Sequence, residues 1–271
     1  MPYLQDATGN YPIERRAGEI ERLLAQGAAM EEETRRMFDR IGVAPGWRCL
    51  DLGCGPRGIT DLLAERVGPT GSVVGLDRDP VFIDFARRHA TRGERFEVAD
   101  GYRAPDADGS FDLVHVRFVA GTAGEPETLI REMIRLVRPG GVVVLQEPEW
   151  GSLRCFPPHP AFTTLADALG RAFASVGADV SIGPKLFPML QRLGLRDVAF
   201  RPFLLGFRHG DGFADFLPAS CESMHGAILK AGLLDQAGFD ASLRDCRAHL
   251  AEPGTLFTLY GVFQVWGRKP A

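Results

Sequence analysis

From Arg48 onward two apolar patterns alternate along the chain. RCLDLG, SVVGLD, FEVAD, FDLVHVRFV and GVVVLQEP are short, nearly continuous apolar runs, whereas in ITDLLAERVG, VFIDFARRHA and ETLIREMIRLVRPG the apolar residues recur every three to four positions. The runs predict strands covered on both faces, and the recurrence predicts helices between them. Strand alternating with helix predicts βαβ units and a parallel sheet. The Pro-Gly-Gly at 139–141 is read as ending one helix and feeding the next strand.

Outside this stretch the pattern changes. Residues 14–40 are rich in Glu, Arg, Ala and Leu and space Ile20, Leu23 and Leu24, then Met30, Met37 and Phe38, as one helical arm would. The Glu31–Glu33 run is read as a solvated helix face. Beyond residue 150, WGSLRCFPPHP is a proline-rich loop, 161–176 and 184–193 are helical, and DVAFRPFLLGF is a strand. Residues 211–250 form a helical stretch without a strand, followed by a long β-like run, LFTLYGVFQVWGRKP. The expected organisation is an arm over 1–40, a ligand-binding core over 41–150, and substrate-side helices, a lid at about 211–250 and C-terminal strands over 151–271.

Composition narrows the function classes. A chain of 271 residues, 45% hydrophobic, can bury a sizeable core in one large domain. The net charge of −4, with arginines scattered along the chain, leaves no footprint for nucleic acid. No run approaches the roughly 20 apolar residues of a membrane span, and the start lacks the pattern of a leader. Five cysteines form no CxxC pair and are odd in number, which points to a reducing cytoplasm. The expected partner is a small molecule. The arm is compatible with exchange in a homodimer and equally with folding over its own pocket.

Candidate chemistry centres on LDLGCGPRG at 50–58. Gly53, Gly55 and Gly58 spell GxGxxG at a strand-to-helix turn, where an open parallel sheet binds ligands beyond its carboxyl ends. Pro56 suits a first helical turn. Asp77 ends the second strand, where an acid accepts from ribose hydroxyls, and this is common to NAD and adenosyl ligands. Asp51, two residues before the first glycine, would repel a pyrophosphate and attract a ligand bearing ammonium and sulfonium groups. Asp100 ends the third strand, placed for an exocyclic adenine amine. A glycine turn without a ligand is the plain alternative.

In this order and spacing, LDLGCG, GLD, VADG, FDLVHVR and LVRPGGVVVLQEP resemble the motifs of class I S-adenosylmethionine-dependent methyltransferases over residues 46–150. GCGPxG, EPEW and PPHP further resemble a bacterial group acting on small molecules, some of whose members methylate indoles or other carbons of natural products. The resemblance implies a Rossmann-like α/β fold: a mostly parallel seven-stranded sheet with a C-terminal antiparallel strand, an N-terminal helical arm and a helical lid. It implies S-adenosylmethionine as cofactor, with Asp51, Gly53 and Gly55 at the methionine end, Asp77 at the ribose and Asp100 with Gly101 at the adenine. Arg78 would cover the adenine ring and Arg117 would meet the methionine portion. Apart from the resemblance, Tyr3 and Tyr11 on the arm are placed to close over the ligand, with ordinary surface packing as the alternative. One departure stands out: Arg57 occupies a position where many members carry glycine, so Gly58 must supply the close approach.

Methyl transfer is an in-line displacement that needs alignment and, for some acceptors, a base. Strand alternation puts Leu113, His115 and Arg117 on one face, with His115 near the reacting end. Glu147, Glu149, His159 and His225 are the other candidates, each with a structural alternative: a buried bonded histidine, a loop acid, a capping histidine. No metal-ligand spacing occurs. Phe156, Phe162, Phe203, Phe213, Phe216 and Met224 favour an aromatic or amphipathic acceptor, unless they are core. Two rivals remain: an NAD-dependent oxidoreductase, for which no Tyr-x-x-x-Lys pair is present, and a non-catalytic subunit that binds the cofactor.

Overall fold

The computed structural model describes residues 18–122 and 124–271. Two helices lead, α1 (Glu19–Ala29) and α2 (Glu31–Ile41). Then come β1 (Arg48–Leu52), α3 (Thr60–Val67), β2 (Ser72–Asp77), α4 (Pro80–His89), β3 (Arg95–Val98), β4 (Phe111–Arg117), α5 (Pro126–Leu136) and β5 (Val137–Glu149). A 3-10 turn, Trp150–Ser152, precedes β6 (Arg154–Phe156), α6 (Pro160–Ser175), α7 (Gly183–Arg192), β7 (Arg196–Phe203) and β8 (Gly206–Arg208). The rest is α8 (Phe216–Ser223), α9 (His225–Lys230), α10 (Gln236–Leu250), β9 (Leu256–Thr258) and β10 (Gly261–Arg268).

Seven strands form one sheet in the order β3-β2-β1-β4-β5-β10-β7. Every pair from β3 to β5 is parallel, and β10 runs antiparallel to both β5 and β7. The order reverses between β1 and β4, and such a switch point opens a crevice beyond the strand ends. Period-two alternation sorts the side chains. Leu50, Leu52, Val114, Val116, Val143 and Leu145 pack with α5 and α7 on one face. Cys49, Leu113, Val142 and Val144 pack with Met37, Phe38 and Ile41 of α2 and with Leu63 of α3 on the other. This Rossmann-like α/β sheet, with its one antiparallel strand, is the predicted class.

Several details differ from expectation. The arm is two helices, broken at the fully buried Met30. Pro139 and Gly140 lie inside β5, where the register against β4 shifts between Phe111 and Leu113, so the motif makes a bulge. Pro56 sits in the turn ahead of α3, whose first residue is Thr60. The C-terminal run splits at Leu259–Tyr260. Its first part, β9, pairs with β6 and β8 in a separate three-stranded sheet, because alternation marks a strand without naming its partner.

Helices α6, α8, α9 and α10 pack over β9 as a cap with its own apolar core, centred on Phe162, Leu169, Phe213, Phe216, Met224 and Phe257. Of the residues expected to shape an acceptor pocket, Phe162, Phe203, Phe213, Phe216 and Met224 are thus buried in that core, and Phe156 is exposed. Among the described residues no helix is long and apolar enough to cross a membrane. Tyr3 and Tyr11 lie outside the described residues.

Candidate active site

The turn from β1 to α3 is the first component of the site. Gly53, Gly55 and Gly58 all have left-handed φ, at 67°, 56° and 54°. A Cβ on Gly53 would meet Val119 at 2.6 Å, and one on Gly58 would meet Asp51 Oδ2 at 2.0 Å. A Cβ on Gly55 would meet nothing nearer than Leu23 at 3.9 Å, so this side of the loop is open. Gly58 supplies the close approach required by Arg57.

Asp51 lies beneath this loop. It is 2% exposed, its Oδ2 accepts from Ile59 N at 3.0 Å, and its Oδ1 lies 2.7 Å from His115 Nδ1. The buried carboxylate supports the loop from beneath. Asp77 holds the loop from the next strand: Oδ2 accepts from Gly55 N and Oδ1 from Asp79 N, both at 2.8 Å. Burial raises its pKa, opposed by those two N–H groups. Each oxygen retains a lone pair for a ribose hydroxyl. Val98, the register partner of Asp77, and Val81 at the start of α4 are exposed apolar side chains, at 49% and 51%. Asp100 is exposed, with Oδ1 accepting from Tyr102 N at 3.0 Å, and Gly101 leaves room beside it. Arg78 is exposed at the end of β2.

The loop after β4 completes the crevice. Phe118 has φ 58°, unusual without glycine, and Glu147 organises the backbone from Val119 to Gly121. Its buried Oε1 accepts from Val119 N at 2.9 Å and Ala120 N at 2.8 Å, and its Oε2 from Gly121 N at 3.2 Å. Burial pushes this carboxyl up to about 7, against the pull of the three N–H groups. Arg117 Nη2 donates to Gly58 O at 3.2 Å, and burial lowers the guanidinium's pKa while Asp51 and Tyr260 raise it. Tyr260 accepts from Gln26 Nε2 of α1 at 2.6 Å, stacks on Trp150 and meets Phe118 and Phe216 edge-on. Phe118, Trp150, Tyr260 and Gln26 were not among the sequence candidates; only the position of Phe118 and Trp150 just past strand ends marks them.

The expected bases are otherwise engaged. His115 is fully buried, with Nδ1 on Asp51 and Nε2 3.1 Å from Gln146 Nε2, so neither nitrogen is left for an acceptor. Glu149 caps the 3-10 turn through Gly151 N and Ser152 Oγ, and borders an open groove of about 480 Å³ with Phe203, Leu204 and Phe263. His225 Nε2 lies 3.0 Å from Gln236 Oε1, its ring against Phe239. His159 caps α6 and stacks on His249. Among the described residues no cluster of His, Cys, Asp or Glu can hold a metal ion.

A glycine turn over one strand-end acid, a second acid one strand away and exposed apolar side chains beyond are what the resemblance to class I S-adenosylmethionine-dependent methyltransferases, whose cofactor is S-adenosylmethionine, implies. Residues 50–145 match the methyltransferase domain family. The chain is 36% identical over 119 residues to an uncharacterized 37.1 kDa protein in transposon TN4556 of Streptomyces fradiae, covering 43% of this chain and 34% of that one. It is 32% identical over 146 residues to demethylmenaquinone methyltransferase of Staphylococcus aureus, covering 52% of this chain and 60% of that one. The chain therefore spans between a third and three-fifths of these relatives' lengths. A Bacillus halodurans protein classed with the methyltransferases shares the fold at TM-score 0.56 and 17% identity, over 88% of this chain and 99% of that one.

Proposed function

We propose that the protein transfers the methyl group of S-adenosylmethionine to a small, apolar, aromatic or quinol-like acceptor. The observation that carries this reading is the glycine turn, open at Gly55 and tied from two strands by Asp51 and Asp77. Gly53 and Gly55 would receive the methionine end, Asp77 the ribose hydroxyls, and Asp100 with Gly101 the adenine. Phe118, Trp150 and Tyr260 contact one another just past the ends of β4 and β5 and ahead of β10, and their rings would favour an apolar partner there. The likeness to a demethylmenaquinone methyltransferase supports the same acceptor class.

With His115 occupied in the sheet, rate would come chiefly from alignment, and from an acceptor that is electron-rich carbon or an ionised phenol. Calorimetric titration with S-adenosylmethionine, S-adenosylhomocysteine and NAD in parallel, then a screen of quinols, phenols and indoles for S-adenosylhomocysteine release, tests the reading. Micromolar binding of both adenosyl ligands, no NAD binding and turnover of an aromatic acceptor are expected. NAD binding alone would restore the oxidoreductase, and cofactor binding without turnover would favour the non-catalytic subunit.

A further inference from the structure

A row of polar side chains crosses the sheet on the face covered by α2. Gln146, Gln264 and His115 are wholly buried. Gln264 on β10 stands directly opposite Gln146 on β5 and Arg201 on β7, and His115 on β4 stands opposite Asp51 on β1. Gln146 lies two residues beyond Val144, the register partner of His115, and so shares its face. In a layer otherwise built of Val, Leu, Met and Phe, such a row persists only if each member is bonded.

The bonds have one direction, and chemistry dictates it. Arg201 carries only donors, and its Nη1 lies 3.2 Å from Gln264 Oε1. A backbone carbonyl only accepts, and Glu33 O lies 2.9 Å from Gln264 Nε2. Both constraints orient the Gln264 amide the same way. Its Nε2 therefore also donates to Gln146 Oε1 at 3.1 Å, which turns Gln146 Nε2 toward His115 Nε2 as a donor. His115 Nε2 must then accept, its proton resides on Nδ1, and Nδ1 donates to Asp51 Oδ1. The far end is also fixed on α2, where the Glu33 carboxylate pairs with Arg201. Glu33, expected to be solvated, is thus part of the row.

We propose that this row is a positioning relay: Gln264 and Gln146 hold His115 as the neutral Nδ1–H tautomer, His115 fixes the Asp51 carboxylate under the glycine turn, and the anchor at Glu33 makes cofactor affinity depend on the seating of α2. The proposal rests on the cofactor reading above. Its mechanical basis is the packing of Asp51 Oδ2 against Gly58: a carboxylate that rotates has nowhere to go except into the turn that receives the ligand. Burial lowers the His115 pKa, consistent with a neutral ring.

The test is nitrogen-15 NMR of the six histidines in the full chain at pH 7, with assignment by His115→Asn, alongside titration with S-adenosylhomocysteine. In the wild type His115 should be neutral and Nδ1–H, the tautomer less favoured by a free imidazole. His115→Leu should weaken binding about tenfold, whereas His115→Asn, which keeps a donor at the Nδ1 position, should stay within about threefold. Gln264→Leu, distant from the ligand, should mix the tautomers and weaken binding about threefold. An Nε2–H or charged His115 in the wild type overturns the relay, as does unchanged affinity in folded Leu variants. Should those variants not fold, the wild-type tautomer and the Asn variant still decide. A wild type that shows the Nδ1–H signal and slow exchange of the Ile59 amide but binds no S-adenosylhomocysteine overturns the cofactor reading and leaves the relay standing.

Discussion

Gly58 has less latitude than its neighbours in the turn, because its φ of 54° and the Asp51 carboxylate lying where a Cβ would go act together. Gly58→Ala should lower stability by about 1–3 kcal/mol and weaken S-adenosylhomocysteine binding at least tenfold, read by thermal unfolding and calorimetry. Asp77 separates binding from folding differently. Asp77→Asn keeps the side chain's shape but replaces charge-assisted bonds, worth about 1.5–3 kcal/mol each, with weaker ones. Its expected effect is tenfold weaker cofactor binding in a folded protein; an unchanged Kd would remove Asp77 from the ribose site. The glycines and strand-end acids were legible in the sequence because turn chemistry is local. The engagement of His115 was not, since Glu33 and Gln264, which complete its row, come from opposite ends of the chain.

At the scale of elements, the loop after β4 depends on one carboxylate from the neighbouring strand. The unfolded chain releases the Glu147 proton near 4.5 and the folded protein near 7. A raised carboxyl pKa contributes stability that is fully present below 4.5 and is lost as pH rises through 7, by roughly 3 kcal/mol for a shift of this size. Glu147→Gln cannot titrate, so wild type should gain on the variant by about that amount between pH 8 and pH 5 in urea unfolding. A gap independent of pH would mean that the three N–H donors keep Glu147 ionised throughout. Strands and helices from 48 to 149 were legible because each carries its own period. The small sheet was not: LFT and VFQVW read as one run, and only tertiary pairing divides them.

On the scale of the whole molecule, the cap core reaches the large sheet at residues 260–262, where Tyr260 and Val262 belong to the cap core and Val262 lies in β10 of the large sheet. Phe257, 1% exposed, lies at the centre of the cap, and Phe257→Ala should lower unfolding free energy by about 3–5 kcal/mol. Saturating S-adenosylhomocysteine, at a hundredfold over its Kd, should restore about 2.7 kcal/mol of that in the same denaturant titration. The position of β10 between β5 and β7 has a temporal consequence. Both of its neighbours are synthesised before it, β7 by more than fifty residues, so at ribosomal rates two strand edges wait on the order of seconds for residues 261–268. Until then the nascent chain offers open backbone to any other strand within reach, and its traffic with chaperones should concentrate in that interval.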